Sequence, residues 1–179
     1  MQITIGGMPG SGKSTIGKML AKSLGYKYYS IGEIRRGLAQ KRGLTIIEYN
    51  ELDEDTDKEV DDFQKNDLAK KDNIIVEGRL AFHFLPESIK LFFDVDLKVA
   101  AERIFLDPRS SERNYSSETE VYKGLKKRMD NDIERYFLRY GVDAFNRKNF
   151  DHVIDTANMS LEQVENKVLC ILGVKPRKR

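Results

Sequence analysis

Short apolar runs alternate along this chain with longer stretches in which apolar residues recur at helical spacing. Residues 3–6, 74–76, 89–95 and 153–155 read as strands buried on both faces, with a weaker run at 27–29. Between them, helical patterns cover residues 14–24, 31–41, 58–70, 97–105, 118–140 and 161–172. Strand and helix alternate from end to end, which predicts an α/β fold: a parallel five-stranded sheet between two helical layers. In that architecture ligands bind at the carboxyl ends of the strands.

Polar residues punctuate the helices. Thr45 with Glu48, Ser117 with Glu120 and Ser160 with Gln163 each have the spacing of a capping box, which satisfies amides that a helix start leaves open. Residues 51–62 hold eight acids and one Lys, a pattern of solvated helix face and approach loop. Residues 107–117 are polar, lack aliphatic side chains and lie between helical patterns, so they read as a flap.

Composition narrows the class. With 40% hydrophobic and 34% charged residues over 179 positions, the chain reads as one helix-rich globular domain. No apolar run approaches the roughly 18 residues of a membrane span, and residues 1–5 read as strand rather than as a signal segment. The expectation is a cytoplasmic protein without membrane contact. Lys and Arg (31) nearly balance Asp and Glu (29), so the overall field gives no reason to expect nucleic acid as a partner. The single cysteine, Cys170, has no internal partner, and its apolar neighbours suggest a small buried side chain. The basic residues 175–179 read as a solubilising end.

The strongest chemical signal is Gly7-Met8-Pro9-Gly10-Ser11-Gly12-Lys13-Ser14, which matches G-x-x-x-x-G-K-[ST] directly after a strand and before a helix. Gly7, Gly10 and Gly12 let the backbone curl so that the amides from Ser11 onward point at phosphate oxygens, and the following helix N-terminus adds positive charge. Lys13 then bridges the β- and γ-phosphates, Ser14 ligates magnesium, and Thr15 contacts the α-phosphate. The expected ligands are ATP and Mg2+.

A P-loop is shared by kinases, GTPases and mechanical ATPases. Asn166-Lys167-Val168-Leu169 lacks the Asp of the guanine-reading N-K-x-D element, and D-x-x-G is absent. The chain is also short for a mechanical ATPase. A small-molecule kinase is left, and at this point the sequence resembles the nucleoside monophosphate kinases, especially the archaeal-type cytidylate kinases. The likeness runs through residues 7–15, 30–36, 57–64, 76–80, 101–104, 128–136, 140–143 and 153–156. It implies a P-loop kinase fold over residues 1–179, with a helical acceptor-binding region at about 30–71 and a lid at about 107–135.

The resemblance also implies roles. Phosphoryl transfer needs positioning and electrostatic clamping, for which the planar fork of arginine is suited. Arg36 lies opposite Ile31, Ile34 and Leu38 on its helix, so it reaches either a cleft or solvent, and the matching family position holds the acceptor phosphate. Gly78 and Arg79 follow a strand end, and Arg79 resembles a second acceptor clamp; a structural ion pair is the alternative. Arg128 and Arg135, two turns apart, share a helix face and close over the phosphates, unless Asp132 pairs with Arg128. Arg109 and Arg113 lie in the flap. Arg103 matches a family position beside the donor base, where a guanidinium stacks on adenine.

Glu77 ends an apolar strand where an acid can hold a magnesium-bound water. Asp96 precedes a helix and reads as an N-cap, and His83 and His152 as structural. Asp57, Asp61 and Gln64 recur on one helix face and, with Ser30, fit the family's acceptor pocket; carboxylate acceptors suit a pyrimidine with an exocyclic amine. Leu80-Ala81-Phe82 stands where adenylate kinases carry a Pro and, downstream, a base-reading Gln, which argues against AMP. Asp62-Phe63 replaces residues often basic in cytidylate kinases, so UMP, dCMP and a non-nucleotide acceptor stay open, as does a regulatory P-loop protein without acceptor chemistry. The expected partners are small nucleotides, with the chain a monomer or weak homodimer.

Overall fold

The computed structural model describes residues 1–50, 52, 55–107 and 115–175. Strands β1 (Gln2–Gly7), β2 (Lys27–Ser30), β3 (Ile74–Glu77), β4 (Ile89–Asp94) and β5 (His152–Asp155) form one parallel sheet in the order β2-β3-β1-β4-β5. Parallel neighbours require crossovers, and these carry the helices. They are α1 (Lys13–Leu24), α2 (Ile31–Lys41), α3 (Ile46–Asn50), α4 (Thr56–Asp62), α5 (Ala81–Phe84), α6 (Leu97–Leu106), α7 (Glu118–Tyr140) and α8 (Leu161–Ile171).

Alternation along the strands builds two cores. Ile3, Ile5, Ile75, Leu91 and Phe93 face α1 and α8, meeting Ile16, Leu20, Val164 and Val168. The intervening residues Ile74, Val76 and Phe92 face the other way, against Phe82, Phe84, Phe145 and Phe150, with Ile133 and Tyr136 of α7 packed alongside. A third cluster joins Ala100, Ala101 and Ile104 of α6 to Val121 and Leu125 of α7. Each face of the sheet is covered, and that is why β1, β3 and β4 carry apolar residues on both faces, with Thr4 of β1 buried against the Ser88 hydroxyl at 2.9 Å. β5 departs from that expectation: it is an edge strand in which only Ile154 is buried, and Val153 is exposed.

The long helices follow the sequence pattern closely, including Ser117 and Ser160 as N-caps and Asp96 as the cap of α6. The start of α3 is the one that the Thr45 and Glu48 spacing signals, whereas α5 carries no such cap and four residues hold too little periodicity to register. The helix expected over 58–70 starts at Thr56 and changes character midway. Residues Phe63–Leu68 form a π-helical turn, closed by the Ala69 amide donating to the Gln64 carbonyl at 2.9 Å. Cys170 is exposed rather than buried, since α8 turns Val164, Val168 and Leu169 toward the sheet and leaves Cys170 off that stripe. Most of the expected flap, including Arg109 and Arg113, and most of the basic tail lie outside the described residues. Among the described residues no helix is long and apolar enough to cross a membrane.

Candidate active site

At the carboxyl edge of the sheet the chain leaves β1 into the loop from Gly7 to Ser14. Gly7 has φ 133°, and a Cβ there would fall 2.2 Å from the Phe93 carbonyl oxygen, so no side chain fits. Gly10, at φ 71°, lies against Ala100 of α6 and is equally constrained. The Met8 amide donates to the Phe93 carbonyl at 2.9 Å, tying the loop to β4. Lys13 folds across the loop and its ammonium donates to the Met8 carbonyl. Ser11 is buried, its hydroxyl donating to the same carbonyl at 2.8 Å, while Thr15 is exposed on the first turn of α1. Gly12 caps that helix in the left-handed conformation, with no side chain in the way of the first amides.

Beside this loop the ends of β2 and β3 are in register, Ser30 opposite Glu77. One carboxylate oxygen of Glu77, Oε2, accepts from Ser14 Oγ at 3.3 Å, Tyr28 OH at 3.1 Å and Ser30 Oγ at 2.8 Å. Burial, reinforced by that carboxylate, pushes the Tyr28 hydroxyl above its ordinary range and keeps it a donor. Ser30 also caps α2 by accepting from the Glu33 amide at 3.3 Å. The residue pair expected to hold a metal, Ser14 and Glu77, is thus already in contact. Hydroxyl and carboxylate oxygens are the hard donors that magnesium takes.

After Glu77 the chain turns at Gly78, where a Cβ would sit 2.8 Å from Ile31 Cγ1, so glycine lets α2 approach the strand end. Arg79 then reaches inward. Its Nε donates to Asp132 Oδ2 of α7 at 2.8 Å, and its NH1 donates to the Gly7 carbonyl at 3.3 Å. Asp132 Oδ1 lies 3.5 Å from Arg135, Arg135 lies 3.5 Å from Asp57 of α4, and Asp57 pairs with Arg35 of α2. Five side chains of alternating charge therefore connect α2, α4, α7 and the β3 end with the phosphate loop. Three guanidiniums against two carboxylates leave a positive surplus, the condition for taking up an anion.

Other expected site residues fall elsewhere. Arg36 is exposed and its guanidinium lies over Gly32 of its own helix, so Arg35 is the arginine that α2 turns inward. Arg128 is exposed two turns before Arg135. Arg103 donates twice at 2.8 Å, to the carbonyls of Thr156 and Ala157, and so ties α6 to the loop after β5. Asp61 is buried and accepts from the Tyr140 hydroxyl; burial pushes its carboxyl above the ordinary range. Gln64, on the π-helical turn, is 2% exposed, and its side-chain oxygen has no hydrogen-bond partner.

Sequence reasoning passed over Tyr28, Arg35 and Asp132 as site residues. Tyr28 had a signal: it shares a strand face with Ser30, two residues on. Helical spacing offers Arg128 as an alternative partner for Asp132, whereas Arg79 arrives from another element.

A five-stranded parallel sheet with a phosphate loop after its first crossing strand, flanked by converging arginines, defines a P-loop kinase. The chain belongs to the cytidylate kinase-like family, which matches residues 2–158. It is 31% identical over 177 residues to a cytidylate kinase of Methanobrevibacter smithii, covering 97% of this chain and 99% of that one. It is also 33% identical over 172 residues to an S-adenosylmethionine-dependent nucleotide dehydratase of Lacinutrix mariniflava. That match takes in 94% of this chain but spans only 35% of the length of the dehydratase. Among solved structures, the shikimate kinase of Aquifex aeolicus superposes with a TM-score of 0.60 over 97% of this chain and 96% of that one. At 21% identity that likeness speaks for the fold alone.

Proposed function

We propose that the protein transfers the γ-phosphoryl group of ATP to a nucleoside monophosphate, with CMP or dCMP as acceptor and CDP or dCDP as product. The observation that carries this reading is the charge chain Arg35–Asp57–Arg135–Asp132–Arg79, which ends on the Gly7 carbonyl and so puts Arg79 against the phosphate loop, with Arg135 joined to it through Asp132. A protein that only bound ATP would need no second phosphate cradle at that place.

In this reading the amides of the loop and Lys13 hold the donor phosphates, and Arg79 and Arg135 hold the acceptor phosphate. Arg36 and Arg128 add charge from the rim, and Arg103 supports the donor-base side through the loop after β5. An oxygen of the acceptor phosphate attacks the γ-phosphorus, the bond to the β–γ bridging oxygen breaks, and ADP leaves with that electron pair. Magnesium, held by Ser14 and Glu77, would neutralise charge on the transferring phosphates. The arginines need no proton chemistry; they stabilise charge as it spreads over the equatorial oxygens.

Base selection rests on the α4 side. The buried side-chain oxygen of Gln64 has no hydrogen-bond donor, and an exocyclic amine on the acceptor base would supply one. Asp61 and Ser30 complete the proposed acceptor pocket, and Gly78 lets it form next to the β3 end. The name of the dehydratase relative belongs to a protein about three times as long and adds nothing to this reading.

The test is ADP release from Mg-ATP with CMP, dCMP, UMP, AMP, GMP and shikimate. Stimulation by CMP or dCMP above the others is expected. Preference for AMP overturns the base assignment, and no stimulation by any acceptor overturns the kinase reading in favour of a regulatory nucleotide-binding protein.

A further inference from the structure

Glu77 Oε2 receives three hydroxyls, of which Ser14 belongs to the phosphate loop and Ser30 to the start of α2. The third, Tyr28, has no place in either motif. Its ring packs onto α1 where the chain has Gly17; a Cβ there would come within 2.7 Å of the ring. The ring is also covered by Lys18, whose ammonium lies 5.7 Å from its centroid and 3.0 Å from Glu33 of α2. The phenol is therefore held against α1, its hydroxyl donating to Glu77 Oε2 beside the Ser14 and Ser30 hydroxyls.

We propose that Tyr28 is a positioning residue for the cation-binding carboxylate, using its hydroxyl to hold Glu77 in the orientation that meets Ser14. A glutamate side chain has three rotatable bonds, and fixing them costs entropy each time a cation is bound. Tyr28 and Ser30 meet that cost in the fold itself, because their donors remain on Oε2 whichever partner Ser14 takes. Ring packing would be the same for phenylalanine, so the hydroxyl is the only part of Tyr28 that this role requires. The inference rests on the reading of Ser14 and Glu77 as the magnesium site, and it does not depend on which acceptor is used.

The experiment compares Tyr28→Phe with the wild type by titrating Mn2+ into the full-length protein saturated with ADP, with electron paramagnetic resonance reporting free Mn2+. Loss of an outer partner of a metal-binding carboxylate is expected to weaken Mn2+ binding by about tenfold. In the kinase assay the Mg2+ concentration for half-maximal rate rises, while the KM for acceptor at saturating Mg2+ stays at the wild-type value. Unchanged Mn2+ affinity in Tyr28→Phe overturns the proposal, whatever the rate does. A wild-type protein that binds ADP but no Mn2+ at this site overturns the magnesium reading and the proposal together, whereas failure of the acceptor panel leaves the Mn2+ comparison decisive. Thermal unfolding without ligands separates the two: a merely structural tyrosine lowers the midpoint without moving Mn2+ affinity.

Discussion

Arg79 makes contact with both halves of the site, which sets the expected cost of losing it. In the proposed reaction Arg79→Ala removes a donor to the charge that develops on the transferring group, and a loss of about 1.4 kcal/mol or more corresponds to at least a tenfold fall in kcat. Steady-state rates at saturating ATP and CMP check this, and wild-type turnover in the variant would make Arg79 a structural ion-pair partner. Asp61 offers a pH-dependent counterpart. Its carboxyl is pushed up by burial, so between its unfolded value and its higher native value the native state holds more protons than the unfolded one. Stability from this group is complete below the unfolded value and is lost as pH rises through the native one. Asp61→Asn removes that loss, so the difference in unfolding free energy between variant and wild type shifts in the variant's favour as pH rises through that window. Urea titrations from pH 4 to 7 measure it. At this scale the phosphate loop was legible, because eight contiguous residues carry it. Arg35 and Asp132 were not, because their partners Asp57 and Arg79 come from other elements of the chain.

Among the elements, α8 shows how far local rules reach. Ser160 accepts from the Gln163 amide and Gln163 returns the bond to the Ser160 amide, a capping box readable directly from spacing. Ser160→Ala is expected to lower stability by about 1 kcal/mol, measured by chemical denaturation, with no effect on nucleotide binding. The segment from α4 into the π-helical turn shows where such rules stop. Its apolar and polar spacing reads as one α-helix, yet from Phe63 the bonding widens and leaves Gln64 buried beside Asp61. The wider turn is set by packing of Phe63 and Leu68 under the sheet, which no local pattern records. The same holds for Cys170: its neighbours are apolar, but the side of α8 that meets the sheet passes it by.

For the whole molecule, the two-sided sheet explains why the site sits where it does. Parallel order brings the ends of β1, β2 and β3 to one edge, so Gly7, Ser30 and Glu77 meet although they lie far apart in the chain. Binding at that edge couples to global stability. At an ADP concentration about 100 times the dissociation constant, with Mg2+, the native state gains about 2.7 kcal/mol. For a chain of this length that raises the thermal midpoint by about 7 °C, and Lys13→Ala is expected to abolish the shift while unfolding normally without ligand. Differential scanning calorimetry reads both outcomes.

By itself, the sequence determined the strand and helix alternation, the parallel α/β class, the phosphate loop and the main helix caps. Each of these is encoded within a few residues, through apolar period, glycine freedom or hydrogen-bond spacing. Only the tertiary structure decided that Arg35 rather than Arg36 turns inward, that Asp132 joins Arg79 to Arg135, and that Tyr28 shares Glu77 with Ser14 and Ser30. Those contacts depend on the angle at which separate elements meet, and that angle is set by packing over the whole sheet, not by any one segment.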